Sequence, residues 1–507
     1  MSDTSGRMYR FPPLDRTGWL LGLSGAQCVI LAAGTLAAGL LLDARAPAPA
    51  VVAALALAVT AAFAPWDGRP AHQWLPALAR VGFLRFTGRH AWVAELPFLS
   101  RRPDDAARPP SLPPFLDGLT LTDAGSLAQA AGPAASPGGV AVVHDRRHRT
   151  ASASLRAGGC GFALLERAEQ DRLVALWGDV LAGFCAERSA VVSVRVTEWA
   201  GPDHLSEFER FADQRRRAPT GSPAVDSYRE LLADAGERAA RHDVLVTVTV
   251  ALHRLRRHRG KGSAQETASA VLLEELRLLT GRLEAAGVDV AGPLSLTDTA
   301  EAMRMRADPT VVRAARRRNR SLAAMAGLVS PWNWGPLATE SDWDHLRVDG
   351  ALHRTYWVAE WPRLDVPAGW LEPILLHAGG TRTFTVHCEP VPPSRSRRRI
   401  DRDATRLAAD GEQRSRAGFR VGARHHRSEA AVLEREAELV AGHNELEYAG
   451  FLTVTAATDE ELKRSCADYE QAAAQAGLEL RPVHGQHDLG FVCALPVGRG
   501  LATRRTL

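Results

Sequence analysis

The chain has 507 residues, 46% hydrophobic and 24% charged, enough for about two to four domains at roughly 100–200 residues each and for real buried cores. That composition excludes a collagen-like or wholly disordered protein. The 62 basic and 58 acidic residues leave a net charge of +4, too balanced to mark a nucleic-acid-binding protein. Lys261 and Lys463 are the two lysines, so arginine carries the rest of the positive charge. With abundant Ala and Gly this is a compositional bias and says little about guanidinium chemistry.

The N-terminus carries the strongest signal. Thr17 to Leu42 holds no charged residue, and a second uncharged stretch runs from Ala46 to Trp66. Both match the about 20 apolar residues that a membrane helix needs. The break between them, Asp43-Ala44-Arg45-Ala46-Pro47, reads as a tight connection, so the spacing predicts a transmembrane helical hairpin over residues 1–70. Gly22, Gly25, Gly34 and Gly39 would let the two helices approach closely. A signal peptide has a shorter apolar region and no second run directly behind it.

Arginines set the expected orientation. Arg7, Arg10 and Arg16 precede the hairpin, and Arg69, Arg80, Arg85, Arg89, Arg101 and Arg102 follow it, whereas the loop has Arg45 beside Asp43. The positive-inside rule puts both termini in the cytoplasm of a two-helix cell-membrane protein. A juxtamembrane segment, 71–100, mixes Trp74, Phe83, Phe86 and Trp92 with Arg80, Arg85 and Arg89. That mixture suits the headgroup level, and equally a surface segment packed on the next domain.

A Pro-rich linker is expected over 101–138. The remainder reads as two α+β, sandwich-like cytoplasmic units. In the first, 139–330, strands are expected at Val140–His144, Thr150–Arg156 and Val191–Glu198, with a helix over about Glu166–Glu187 between the last two. The sheet should carry its helices on one face. Valines alternating with threonines over Asp243–Leu255 predict another strand, and the apolar spacing of Ala264–Ala286 a helix ended by Gly287. The second unit, 331–507, opens on Pro331, Trp332, Trp334 and Trp343. Strands are expected at His353–Trp361, Thr381–Glu389, Gly450–Ala456, Leu478–Pro482 and Gly490–Leu495, with an amphipathic helix over Asp459–Gly477. Ser394–Ala441 is dominated by Arg and Glu and reads as a projecting charged helical hairpin.

Chemistry is marked mostly by absences. The nearest approach to a phosphate-binding GxxxxGK[ST] loop, Arg259-Gly260-Lys261-Gly262-Ser263, lacks the first glycine at the right spacing. No GxSxG occurs, so a nucleophile elbow is unsupported. Six scattered cysteines, Cys28, Cys160, Cys185, Cys388, Cys466 and Cys493, form no CxxC and read as thiols of a reducing compartment. His484 and His487-Asp488 sit at a spacing that could ligate a metal but lack a partner cluster. Asp342, Asp344 and His345 could form an acid/base group, though a helix start capped by Ser341 explains the acids more simply. Arg254–Lys261, Arg313–Arg320 and Arg395–Arg402 could touch phosphates or anionic lipid, with solvated helix faces the plainer reading. No catalytic, cofactor-binding or metal residue is therefore expected.

The hairpin followed by WLPALARVGF…GRHAW resembles the small PrgI-type membrane subunits of Gram-positive type IV secretion. The stretches GVAVVHDRRHRTASASLRAGG, FALLERAEQDRLVALWGDVLAG, YWVAEWPRLDV and GFLTVTAATDEELKRSC…LGFVCALPVGRGL resemble an actinobacterial family of secretion-locus membrane proteins, some described as EccE-like. The soluble part is also similar to the N-terminal, non-ATPase half of conjugation ATPases, whose "Q…GF…LP" ending is matched by Gln486, Gly490, Phe491, Leu495 and Pro496. The resemblance implies a non-enzymatic inner-membrane structural subunit of a type IV secretion or conjugation-like apparatus that docks a separately encoded ATPase. The alternative it implies is an EccE-like component of type VII secretion, with its soluble domain outside the cytoplasm. Expected partners are the lipid bilayer, the ATPase, other membrane subunits and further copies of the chain, with no direct nucleic acid. The expected partner surface comprises Arg395, Arg397, Arg398, Arg399, Arg402, Gln486 and Phe491.

Overall fold

A computed structural model describes residues 7–11, 25–66, 69–70, 74–94, 112–125, 139–159, 161–202, 212–215, 222–238, 240–255, 263–310, 334–377, 379–416 and 422–501. They fall into two units, one of Met1–Phe11, Ala91–Arg397 and Glu438–Leu507, the other of Pro12–His90 and Arg398–Ala437.

In the second unit, α1 (Gly25–Asp43) and α2 (Ala48–Phe63) are joined by a turn in which Arg45 has a φ of 56°. Gln27 Nε2 donates to the Ala62 carbonyl at 3.1 Å across the pair. Gly34 packs directly against Ala58, where a Cβ would collide, whereas Gly25 and Gly39 have open space. Of the described helices, α1 alone is long and apolar enough to cross a membrane, at 19 residues and a mean hydropathy of 1.9. The second expected span is shorter than the uncharged run suggests. Pro47 precedes α2 and Pro65 follows it, leaving 16 helical residues, a rise of about 24 Å against a hydrocarbon core of about 30 Å. Strands β1 (Pro65–Trp66) and β2 (Arg69–Pro70) pair, and α3 (Leu75–Phe86) follows.

The first unit is built on one antiparallel sheet. Its strands are β3 (Ala91–Val93), β4 (Leu119–Asp123), β5 (Ala141–Asp145), β6 (Thr150–Ala157), β7 (Val191–Pro202), β8 (Ala240–Ala251), β9 (Val290–Pro293), β10 (Ala338–Ser341), β11 (Leu346–Val348), β12 (Ala351–Glu360), β13 (Thr381–Pro390), β14 (Leu446–Ala456) and β15 (Glu479–Pro482). The order is β3-β10-β11-β12-β14-β13-β7-β8-β6-β5-β4, with β15 beside β12 and β9 beside β6. Two expectations are corrected here. The boundary at 330/331 does not separate two sheets, because β7 pairs with β13 from Val194↔Cys388 to Ala200↔Arg382. The supposed linker 101–138 contributes β4, with Phe115, Leu116 and Leu119 buried in the core; its prolines flank a short apolar insert that composition alone hides.

Helices cover both faces of this sheet, not one as expected. Side chains alternate along a strand, and in β8 Val246, Val248 and Val250 face a core shared with α4 (Arg167–Ala182) and α6 (Ala264–Ala285), through Val180, Leu272, Leu276 and Leu279. On the same side Leu452 and Val454 of β14 meet Leu462, Cys466 and Tyr469 of α11 (Asp459–Gln475). The intervening Thr247 and Thr249 point the other way and are buried as well. That side packs α7 (Leu296–Ala307) and α12 (His487–Ala494), with Phe491 in one cluster with Leu119 of β4, Val143 of β5 and Leu346 and Val348 of β11. The sheet therefore curls around α7 and α12. The expected strand at Gly490–Leu495 is instead helix α12, since a short run apolar on every side reads alike in either conformation. Helices α5 (Pro223–Arg238) and α8 (Glu372–Leu375) complete the body. Gly287 takes a φ of 77° just beyond α6, the left-handed stop that its position predicts.

The charged stretch forms two helices, α9 (Pro393–Arg416) and α10 (Ala423–Val440). Arg435 Nη1 donates to Asp403 Oδ2 at 3.3 Å, and His425 Nδ1 lies 3.6 Å from Asp410, so these helices run antiparallel.

Candidate functional site

The arginines expected to meet a partner lie on α9. Pro393 opens the helix, a position where a missing N–H costs nothing. Its first turn is anchored by Glu187, which accepts from the Ser394 backbone N–H at 3.1 Å, and by Glu445, which accepts from the buried Ser396 hydroxyl. Ser396, Ile400 and Leu407 are buried at helical spacing. Arg395, Arg398, Arg399 and Arg402 follow one another at i, i+3, i+4 and i+7 and so share another face. Arg397 falls on the far side. Arg395, Arg397, Arg398 and Arg402 are exposed, and Arg399 is half-buried. Burial lowers the Arg254 guanidinium from its ordinary value, and the neighbouring charge of Arg395 adds to that.

Gln486 and Phe491 are not part of this face. Gln486 is half-buried and turns the chain into α12, its N–H donating to Val483 O and its carbonyl accepting from Gly490 N–H, both at 2.9 Å. Phe491 is 1% exposed, 4.6 Å from the His353 ring and edge-on to Phe115. A Cβ at Gly490 would sit 2.7 Å from Thr355 Cγ2, so the Gly-Phe pair belongs to close packing of α12 on β12. Phe491 is withdrawn as a surface residue for this reason.

Two motifs that sequence treats separately come together. Asp342, Asp344 and His345 form the turn between β10 and β11, with Asp342 N–H donating to the His345 carbonyl at 2.9 Å. Ser341 ends β10, so it caps no helix. His484 stacks on Trp343 at 5.6 Å, and its Nδ1 is 3.0 Å from Asp344. His487 is fully buried, accepts from Thr355 N–H at 3.2 Å, and is held well below the ordinary histidine range, by burial first and by nearby positive groups second. Among the described residues no three His, Cys, Asp or Glu side chains are grouped to hold a metal ion. This cluster ties a hairpin turn to the start of α12.

Ser263, the last residue of the stretch nearest to a phosphate loop, caps α6. Its hydroxyl accepts from Glu266 N–H at 3.2 Å while Glu266 accepts from Ser263 N–H at 2.9 Å. Lys261 and Arg313–Arg320 lie outside the described residues. Burial pushes the Cys388 thiol up to about 12 and raises Cys185, Cys466 and Cys493 as well, which leaves them poor nucleophiles.

Sequence reasoning missed a set of buried ion pairs. Asp243 accepts from Arg156 at 2.8 Å and from the fully buried Arg306 at 3.1 Å. Glu198 accepts from Arg382 and lies 2.6 Å from His242 Nδ1. Asp145 receives Arg499 at both oxygens, at 2.7 and 2.8 Å. Burial raises the Asp145 pKa, but hydrogen bonds from Arg499 and His148 outweigh this and hold it far below the carboxylate range. Arg499 sits in a C-terminal stretch that looks like a polar tail, and only pairing across the fold marks it.

No protein-family model matches the chain, and no curated protein matches it.

Proposed function

We propose that this protein is a membrane-anchored, non-enzymatic structural subunit of a secretion or conjugation-like apparatus, docking a separately encoded ATPase through the arginine face of α9. One observation carries the anchoring. Tyr9 pairs with Val366 and Phe11 stacks on Trp361 at 5.3 Å, while β3 pairs with β10. Residues 12–90 thus leave the first unit and return to it. A segment whose two ends belong to one body must cross a bilayer an even number of times, so a crossing by α1 demands a return by α2. Its 16 residues are short for the core, a mismatch met by local thinning and by flanking Ala64 and Trp66. This reading makes the pair a two-pass anchor with both termini on the side of the arginines. The secretion role rests on the sequence resemblance, and the exposed arginines of α9 support a charge-guided dock.

The test is a pair of alkaline phosphatase fusions, one at Ala46 and one at the C-terminus, in the full chain. Activity at Ala46 and none at the C-terminus is expected. Activity at the C-terminus would overturn the cytoplasmic placement and favour the EccE-like alternative.

A further inference from the structure

We propose that α3 is a second, in-plane membrane contact, lying in the headgroup layer of an anionic bilayer beside the α1–α2 anchor. The proposal rests on the membrane reading above and adds a surface to it. Helix α3 is apolar on two opposite sides. Ala77 is buried and Val81 and Leu84 are half-buried at i, i+4 and i+7, which accounts for one side. Leu75, Leu78, Phe83 and Phe86 form the other stripe, with exposures of 60%, 43%, 58% and 92%. An exposed apolar stripe of this kind marks an interaction surface, and among the described residues this one is left largely uncovered.

Length and charge identify the occupant. Twelve residues rise about 18 Å, too little to span about 30 Å of hydrocarbon. The helix therefore lies on the membrane and does not cross it. From Gly68 to Ala94 the chain has Arg69, Arg80, Arg85 and Arg89 and no acidic residue, the balance that anionic lipid attracts. The same unit also exposes Val29, Leu36, Val52 and Leu57, each by more than 60%.

The experiment places a photo-crosslinking phenylalanine at Phe86, Ala77 or Leu36 of the full chain, reconstituted in vesicles of phosphatidylcholine with or without phosphatidylglycerol. Lipid adducts are expected at Phe86 and Leu36 and not at Ala77. The Phe86 adduct alone should fall several-fold without phosphatidylglycerol. Lipid adducts at Leu36 with none at Phe86, or a Phe86 crosslink to a second copy of the chain, would overturn the in-plane contact and leave the anchor standing. No lipid adduct at either position would overturn both.

Discussion

The guanidinium of Arg195, in the middle of β7, donates to the backbone carbonyl of Arg499 at 2.9 Å. It also donates to Val497 O at 2.7 Å, and Arg499 reaches on to Asp145 and to the carbonyls of Phe115 and Asp117. Two buried arginines thus stitch the last described turn of the chain onto β5, β7 and the loop before β4.

Breaking that stitch is expected to be costly. Arg499→Ala takes the buried guanidinium from Asp145 and leaves it His148 and the backbone N–H groups of Arg147 and His148, a loss of up to about 3–5 kcal/mol. Thermal unfolding in detergent should show a clearly lowered midpoint, partly restored by adding Asp145→Ala. An unchanged midpoint in Arg499→Ala would refute the role of the pair.

Acid should begin to destabilise the body in the histidine range. Burial pushes His353 down from 6.5 to about 4, and its Nε2 donates to the Ala307 carbonyl at 2.9 Å. A group with a lowered pKa binds its proton in the unfolded chain first. Stability is therefore full above the unfolded value and falls with pH between about 6.5 and about 4, at about 1.4 kcal/mol per unit for each such histidine. His487 adds to the slope in the same direction. The lowered Asp145 acts later, as pH drops through its ordinary value of 3.8. His353→Gln should flatten the upper part of a plot of midpoint against pH; a slope equal to that of the unaltered protein would contradict the assignment.

Reversing the α9 face should release the proposed ATPase. Replacing Arg395, Arg398 and Arg402 with Glu is expected to reduce recovery in a pull-down at low salt, with the wild-type recovery itself falling at high salt because exposed charges are screened beyond about 8 Å. Arg397→Glu, on the other side of the helix, should do little. Equal recovery from all variants at both salts would move the dock elsewhere.

The N-terminal strap should be separable from the rest. Phe11 sits among Trp361, Trp370 and Tyr448 at 5.3, 5.1 and 6.2 Å, and each such ring pair is worth about 1 kcal/mol beyond its buried area. Phe11→Ala is expected to expose the segment before α1 to protease while barely moving the thermal midpoint of the body. Unaltered digestion would show that the strap holds by other means.

Purified protein should bind no ATP, since Ser263 is committed to capping α6 and no GxxxxGK[ST] occurs. Saturable nucleotide binding lost in Lys261→Ala would reverse this conclusion.

Local signals in the sequence carried far. The Val/Thr alternation of β8, the apolar stripes of α6 and α11, the Gly287 stop after α6, and the charge pattern of α9 and α10 all depend on neighbours within a few residues. What escaped was long-range. Nothing near Val194 or Cys388 tells β7 that β13 is its partner. Phe491 enters the partner surface through the resemblance of its GF…LP stretch, and nothing in its neighbours along the chain tells an interface from a core. The salt-bridged arginines were hidden among the basic residues of the chain, since only the fold decides which of them lose their water.

The pairing of β7 with β13 also bears on how the protein is made. During synthesis β7 keeps an open edge until Thr381 and its neighbours have been made, and the bond from Arg195 to Arg499 forms later still. An open edge of this kind invites pairing with foreign strands. The body therefore completes its fold late, with a half-built sheet open until β13 arrives. Truncated products that end before β13 should be the ones that cells clear most actively.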